Sequence, residues 1–414
     1  MNVLVTNIHQ LVNVREETKL LRGKELANLP VIQNAFLRIE NGLIAEYGGM
    51  KDFSAILSRE STIKVFDAAG ATVLPTWCDS HTHLVFAASR EEEFVDKIKG
   101  LSYADIAAKG GGILNSARRL NDTTEDVLFE QAWQRLQELM HLGTGAIEIK
   151  SGYGLTVEGE LKMLQVIKRL KEKSPIPVKA SFLGAHTYPL NFKENHQGYI
   201  DQIIHEMLPQ IAISHLADYI DVFCEEGFFS PAETETICKA GIEIGLKVKI
   251  HANQLHLSGG TQTGVKLGAL SVDHLETMDA DAIQALASSN TIGTLLPGAA
   301  FFLRMPFQPA RALLHAGCAI ALASDYNPGS CPSGNMNLVV SMSCIQMKLL
   351  PEEAINAATI NGAYAMELEN ELGSITIGKK ANLIFTKPIP SLAYLPYAFG
   401  SDLIEKVMIN GAFI

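Results

Sequence analysis

Between residues 71 and 329 the chain carries eight apolar runs, and nearly all of them end in polar or reactive residues. They read ATVLPTWCDSHTH, GAIEIKSGYG, VKASFLGAHTYP, IDVFCEEGFF, LKVKIHANQ, ALSVDHLE, TIGTLLPGAAF and AIALASDYNPG. Near-continuous apolar runs are what strands buried on both faces require. Segments with apolar residues at three-to-four spacing lie between them, such as EDVLFEQAWQRLQELMHLG and EGELKMLQVIKRLKEK, each ending near Gly or Pro. Eight strand-then-helix units predict an α/β fold, a (β/α)8 TIM-like barrel, whose active site gathers at the carboxyl ends of the strands. The polar residues of this chain fall at those ends.

The flanks have a different character. NVLVTNI, FLRIENGLIAEYG and IKVFDAAG at the start, and GSITIGKKANLIFTK and IEKVMINGAFI at the end, are short strand-like stretches. Asn41-Gly42 and Asn410-Gly411 mark hairpin turns, because both residue types tolerate positive φ. We expect residues 1–73 and 368–414 to form one small β-sandwich domain, with the catalytic barrel, 74–367, inserted between them. A chain of 414 residues, 47% hydrophobic, is long enough for both cores.

The formal net charge of -11 argues against a nucleic-acid surface. It leaves small anionic substrates open, since one local arginine outweighs a mean field. The six cysteines form no C-x-x-C pair, which suits reduced thiols. The N-terminus lacks the basic flank and cleavage site of a signal peptide, and no apolar run is long enough for a bilayer. The expectation is a cytoplasmic protein acting on a small molecule without nucleic-acid or membrane partners, as a homodimer.

His81 and His83, one residue apart, point the same way if they continue a strand, and two neutral imidazoles there can hold a metal from one side. Alone, the pair favours metal binding only moderately over a pair of ordinary polar residues after a strand. His251, His274 and Asp325 end the fifth, sixth and eighth runs, however. A His-x-His pair, another histidine and an aspartate offer three nitrogens and one oxygen, a set suited to zinc or iron. Such a metal acidifies water and polarises a carbonyl. An aspartate beside it can take the water's proton and return it to a leaving nitrogen. Arg90 suits a substrate carboxylate, since guanidinium and carboxylate pair through two hydrogen bonds. It reads equally as a solvated charge beside Glu91, Glu92 and Glu93. KGGGI, at 109–113, lacks the spacing of a phosphate-binding loop and reads as a lid. SGYG and NPGS are strand-end loops able to present Tyr153, Asn327 and backbone N–H groups to a ligand, although turn chemistry also explains their glycines.

The strings SHTHLVFAASREEEF, GGGI, EIKSGYGL, FLGAHTYP, KIHANQ, GALSVDHLE, LLPGAAFFL and SDYNPGSCPSGNM closely resemble the imidazolonepropionase family of the amidohydrolase superfamily. The likeness covers nearly the whole chain, flanking β segments included. It implies hydrolysis of 4-imidazolone-5-propanoate to N-formimidoyl-L-glutamate in histidine degradation. It implies one zinc or iron ion per subunit on His81, His83, His251 and Asp325, with Arg90 on the propionate carboxylate. Tyr153, His186, Asn327, Gly329 and Ser330 would contact the ring and the product. Superfamily members with two metals use a carboxylated lysine on the fourth strand; the fourth run here has none, which favours one metal and leaves Lys150, on the second, to orient neighbours. Gln254 stands where some members carry a glutamate proposed to activate water. An amide is no base at neutral pH, so Gln254 either orients substrate or water, or the proton chemistry runs through His274 and Asp325, which we favour. Two other readings compete: deamination of a cyclic amidine or purine, for which Arg90 has no use, and a non-catalytic barrel, which would have lost its ligands.

Overall fold

The computed structural model describes residues 2–52, 63–101 and 111–414. The first strands are β1 (Val3–Val12), β2 (Val31–Glu40), β3 (Leu43–Gly49), β4 (Lys64–Asp67) and β5 (Thr72–Pro75). The barrel follows with β6 (Trp77–Asp79), β7 (Thr144–Lys150), β8 (Val178–Ala185), β9 (Tyr219–Cys224), β10 (Lys247–Ala252), β11 (Ser271–His274), β12 (Ile292–Leu295) and β13 (Ile320–Leu322). The tail adds β14 (Leu383–Thr386), β15 (Ile404–Ile409) and β16 (Ala412–Phe413).

Strands β6 to β13 pair in chain order, each parallel to the next. Between β7 and β13 nearly every strand residue is buried, as expected where helices cover one face and the barrel interior the other. The two ends of this sheet meet beyond the strands proper. Thr82 bridges Tyr326, the Asp325 N–H donates to the His81 carbonyl at 3.0 Å, and the His83 N–H donates to the Tyr326 carbonyl at 2.9 Å. The barrel therefore closes at the histidine pair and the eighth-strand aspartate. Helices Glu125–His141 and Val157–Lys173 cover the outside, where the sequence periodicity places them; Thr124 and Thr156 cap them through the N–H groups of Val127 and Gly159.

The remaining strands form a separate mixed sheet in the order β16-β15-β14-β5-β1-β2-β3, with β4 also on β1. The antiparallel β5–β14 pair, Val73 opposite Phe385, joins the two chain ends. Asn41-Gly42 and Asn410-Gly411 turn the expected hairpins with φ of 51°, 82°, 49° and 77°. The apolar run ATVLPTWCD divides between the two sheets: β5 pairs only within the mixed sheet, and β6 opens the barrel. Both halves are buried, so apolarity alone does not mark the break. Because β5 straddles the division expected between 73 and 74, we place that division after Pro75. Among the described residues no helix is long and apolar enough to cross a membrane.

Candidate metal centre and substrate cavity

Local backbone geometry turns the strand ends inward. His274, Leu275, Asp325 and Asn253 have φ of 87°, 66°, 56° and 54°, in the left-handed region that non-glycine residues occupy only when their surroundings enforce it. The side chains of His274 and Asp325 converge with those of His81, His83 and His251 in the barrel mouth. His81, His83 and Asp325 place one ligand atom each within 4.8 Å of one another, and so do His81, His251 and His274. His81 Nε2 and His83 Nε2 each lie 3.6 Å from Asp325 Oδ1, and His251 Nε2 lies 3.4 Å from His83 Nε2.

Whether this set suits a metal is decided by its outer hydrogen bonds. His81 Nδ1–H donates to Asp273 Oδ2 at 2.7 Å, and His251 Nδ1–H donates to Asp221 Oδ1 at 3.0 Å. Each ring is thereby set in the tautomer whose Nε2 lone pair faces the centre. His81 Nε2 is buried with no hydrogen-bond partner. Burial, followed by Lys150 for His81 and by His186 for His83, holds both imidazoles well below their ordinary pKa, so both are neutral. The Nε2 lone pairs of His81 and His251 thus face one centre without a proton of their own between them, and a cation relieves their repulsion. Three nitrogens and a carboxylate oxygen fit one borderline metal.

Beneath lies a buried ionic layer. Lys150 Nζ is 2.6 Å from Glu148 Oε1, 2.7 Å from Asp221 Oδ2 and 3.5 Å from Asp273 Oδ2. Lys249 pairs with the other oxygen of Glu148 and donates to the Ser80 carbonyl at 3.1 Å. Burial alone would raise the Asp221 pKa, but His251 and Lys150 outweigh it and hold the carboxyl well below its usual range. Lys150 thus binds both carboxylates that orient the imidazoles of His81 and His251. Asp221 and Asp273 escaped the sequence reading. The signal for them was present, because each faces the barrel interior beside a histidine-bearing strand end, and a ligand histidine needs a partner for its second nitrogen.

Beside the histidine–aspartate cluster lies a cavity of about 440 Å³. Arg90, Tyr153, His186, Gln254, Asn327, Gly329 and Ser330, the seven expected substrate contacts, all line it, with Lys97 and Phe223 among the other walls. A smaller inner pocket of about 60 Å³ shares Tyr153, His186, Gln254, Asn327 and Ser330, and adds His83, His251, His274 and Asp325. Arg90 is held from the side by Glu93, whose second oxygen accepts the Gly112 N–H at 2.9 Å. Gly329 lets the guanidinium approach, for a Cβ there would sit 2.3 Å from Arg90 Nη1. His186 stacks on His83, centroids 5.3 Å apart, and donates Nδ1–H to the Gly152 carbonyl at 3.0 Å. Burial, then His251, pushes its pKa down to about 3, so Nε2 is left as an acceptor. Asn327 orders the eighth-strand loop: its Oδ1 accepts from the N–H groups of Gly329 and Ser330 at 2.8 and 2.7 Å. Ser330 Oγ lies 3.2 Å from Asp325 Oδ2, and His274 Nδ1 3.4 Å from Glu276 Oε1. Of the expected lid, 109–113, part lies outside the described residues; Gly112 is fixed by Glu93, and Ile113 lines the cavity.

The amidohydrolase family profile matches residues 72–414. The chain is 58% identical to the imidazolonepropionase of Flavobacterium johnsoniae and 54% identical to that of Christiangramia forsetii, with 100% of each chain covered. Among solved structures, guanine deaminase from E. coli superposes with a TM-score of 0.75 at 14% identity, covering 100% of this chain and 99% of that one. An adenosine deaminase from Xanthomonas campestris, with bound zinc, gives 0.68 at 16% identity, covering 99% and 92%. At such identities these two structures bear on the fold.

Proposed function

Because the chain belongs to the imidazolonepropionases, a family of amidohydrolases, we infer that it hydrolyses 4-imidazolone-5-propanoate to N-formimidoyl-L-glutamate, opening the ring in histidine degradation. One observation carries the reading at the level of the site: the cavity that holds the Arg90 guanidinium and the inner pocket that reaches His83, His251 and Asp325 share the walls Tyr153, His186, Gln254, Asn327 and Ser330. A substrate with a carboxylate at one end and a ring carbonyl at the other needs those two features side by side. The deaminase reading leaves Arg90 without a use.

His81, His83, His251 and Asp325 would hold one zinc or iron ion, which when bound supplies a Lewis acid that polarises the ring carbonyl and acidifies water. The chain's own groups do the rest. Arg90 receives the propionate carboxylate, its guanidinium preset by Glu93. Tyr153 and His186 hold the ring, His186 through its accepting Nε2. Asp325 takes the water's proton and returns it to the departing ring nitrogen, with Ser330 steadying Oδ2. His274, backed by Glu276, donates to the oxygen on which charge develops; burial pulls its pKa down, but Glu276 and Asp325 raise it on balance. Gln254 orients substrate or water through its amide. Asn327, Gly329 and Ser330 shape the wall against the substrate. The protein acts in the cytoplasm, as a homodimer.

A spectroscopic assay of imidazolone propionate loss tests the reading; an inactive wild type refutes it. Replacing Arg90 by Ala is expected to raise KM about 10- to 100-fold, the worth of hydrogen bonds to a charged group. An unchanged KM removes the anchor role. Metal analysis of freshly purified protein should give about one ion per chain by the ligand count, and a chelator should abolish activity that zinc or iron restores.

A further inference from the structure

We propose that Glu160 is a positioning residue for the substrate ring: from outside the cavity it sets both Tyr153 and His186 by holding the loop between β7 and helix Val157–Lys173. This rests on the function proposed above and adds a residue to that site.

Glu160 belongs to the first turn of that helix and is fully buried. Among the described residues no lysine, arginine or histidine pairs with it. Its charge is met by backbone donors. Oε1 accepts from the N–H groups of Gly154 and Leu155 at 2.7 and 2.9 Å, and Oε2 accepts from the Gly152 N–H at 3.0 Å. Burial raises its pKa, and Ser151 with these N–H groups works against that rise. A carboxylate brought into the interior without a countercharge is costly unless its oxygens are saturated, so the three N–H groups and the carboxylate hold one another in place.

That constraint reaches the cavity by two routes. Tyr153 lies between Gly152 and Gly154, and its ring sits 5.6 Å from His186 and 5.8 Å from His83. The carbonyl of Gly152 accepts the Nδ1–H of His186, so the peptide unit that orients His186 adjoins the N–H that Glu160 fixes. The loop is also shaped for close approach. Gly152 has φ of 108°, and a Cβ there would meet His186 Nδ1 at 2.8 Å; a Cβ on Gly154 would meet the Glu160 nitrogen at 2.2 Å. Leu155 has φ of 53°. Such a backbone persists only where its surroundings over-determine it, and Glu160 bonds three of its four consecutive residues.

Glu160→Gln keeps the shape and one accepting oxygen but turns an NH2 group toward one of the donors, most directly that of Gly152. The expected result is a fall in kcat/KM of about 10- to 100-fold, the scale of a misplacement near 1 Å, with wild-type metal content. KM should rise, and the Kd of 3-(imidazol-4-yl)propanoate, an unreactive ring analogue, should rise with it at unchanged binding stoichiometry. A loss of folded protein alone would lower the stoichiometry and leave Kd unmoved. Glu160→Asp, which keeps the charge but retracts it, should fall between. The proposal is overturned if Glu160→Gln shows wild-type KM and Kd, or, should that variant not fold, if Glu160→Asp does. An inactive wild type would instead refute the function while leaving the analogue's Kd to report on Glu160.

Discussion

Asp325→Asn lowers kcat by about 10²- to 10⁴-fold at saturating metal, the range for loss of a positioned proton carrier. The substitution is isosteric. Its amide oxygen can still face His81 and His83, where Asp325 Oδ1 lies 3.6 Å from both Nε2 atoms. Its NH2 can still meet Ser330 Oγ, which lies 3.2 Å from Oδ2. What disappears is the negative charge and the ability to accept a proton. Gln254, on the wall of the same inner pocket, is an amide already and offers no replacement. Metal content is measured alongside kcat. A variant that binds its metal and turns over within tenfold of wild type would place the base elsewhere.

Lys150→Met is expected to cost about 3–5 kcal/mol of stability, the scale for breaking a buried ion pair from one side. The same variant should bind metal about 10- to 100-fold more weakly, as when an outer partner of a ligand is lost. Lys150 lies among Glu148, Asp221 and Asp273, all fully buried. Lys249 still pairs with Glu148 after the change, but Asp221 and Asp273 lose their lysine, and both orient imidazoles of the proposed ligand set, His251 and His81. The pH dependence has a definite sign. In the wild type the Asp221 carboxyl is held below its usual value, so its contribution is present above the ordinary carboxylate pKa, about 4, and is lost as pH falls below it. The variant loses the share that Lys150 supplies and keeps that of His251, so the two proteins should differ most near neutrality and converge on acidification. Denaturant titrations at neutral and acidic pH measure this; equal stability and equal metal affinity would show that the lysine does not hold the layer together.

Much of this molecule can be read from the string of residues because its determinants are local. Burial on both faces demands continuous apolar strands, and eight such runs separated by helical periodicity leave few architectures. The chemistry of a parallel barrel falls at strand carboxyl ends, so His81, His83, His251, His274 and Asp325 stand out by position alone. Glycine and asparagine at positive φ announce the hairpins of the mixed sheet. Where two requirements coincide the signal fails: β5 and β6 are both buried, and one apolar run hides the passage between two sheets. Asp221, Asp273 and Glu160 also escape, since a carboxylate within a strand or a first helical turn has several ordinary explanations. Residue order alone determined the fold class and the donor set at the strand ends. Only the tertiary structure decided which carboxylate meets which imidazole, that Lys150 joins two of them, and that the Arg90 cavity adjoins the pocket of the cluster through shared walls, because each of those arrangements joins residues far apart in the chain and is made only when the barrel closes.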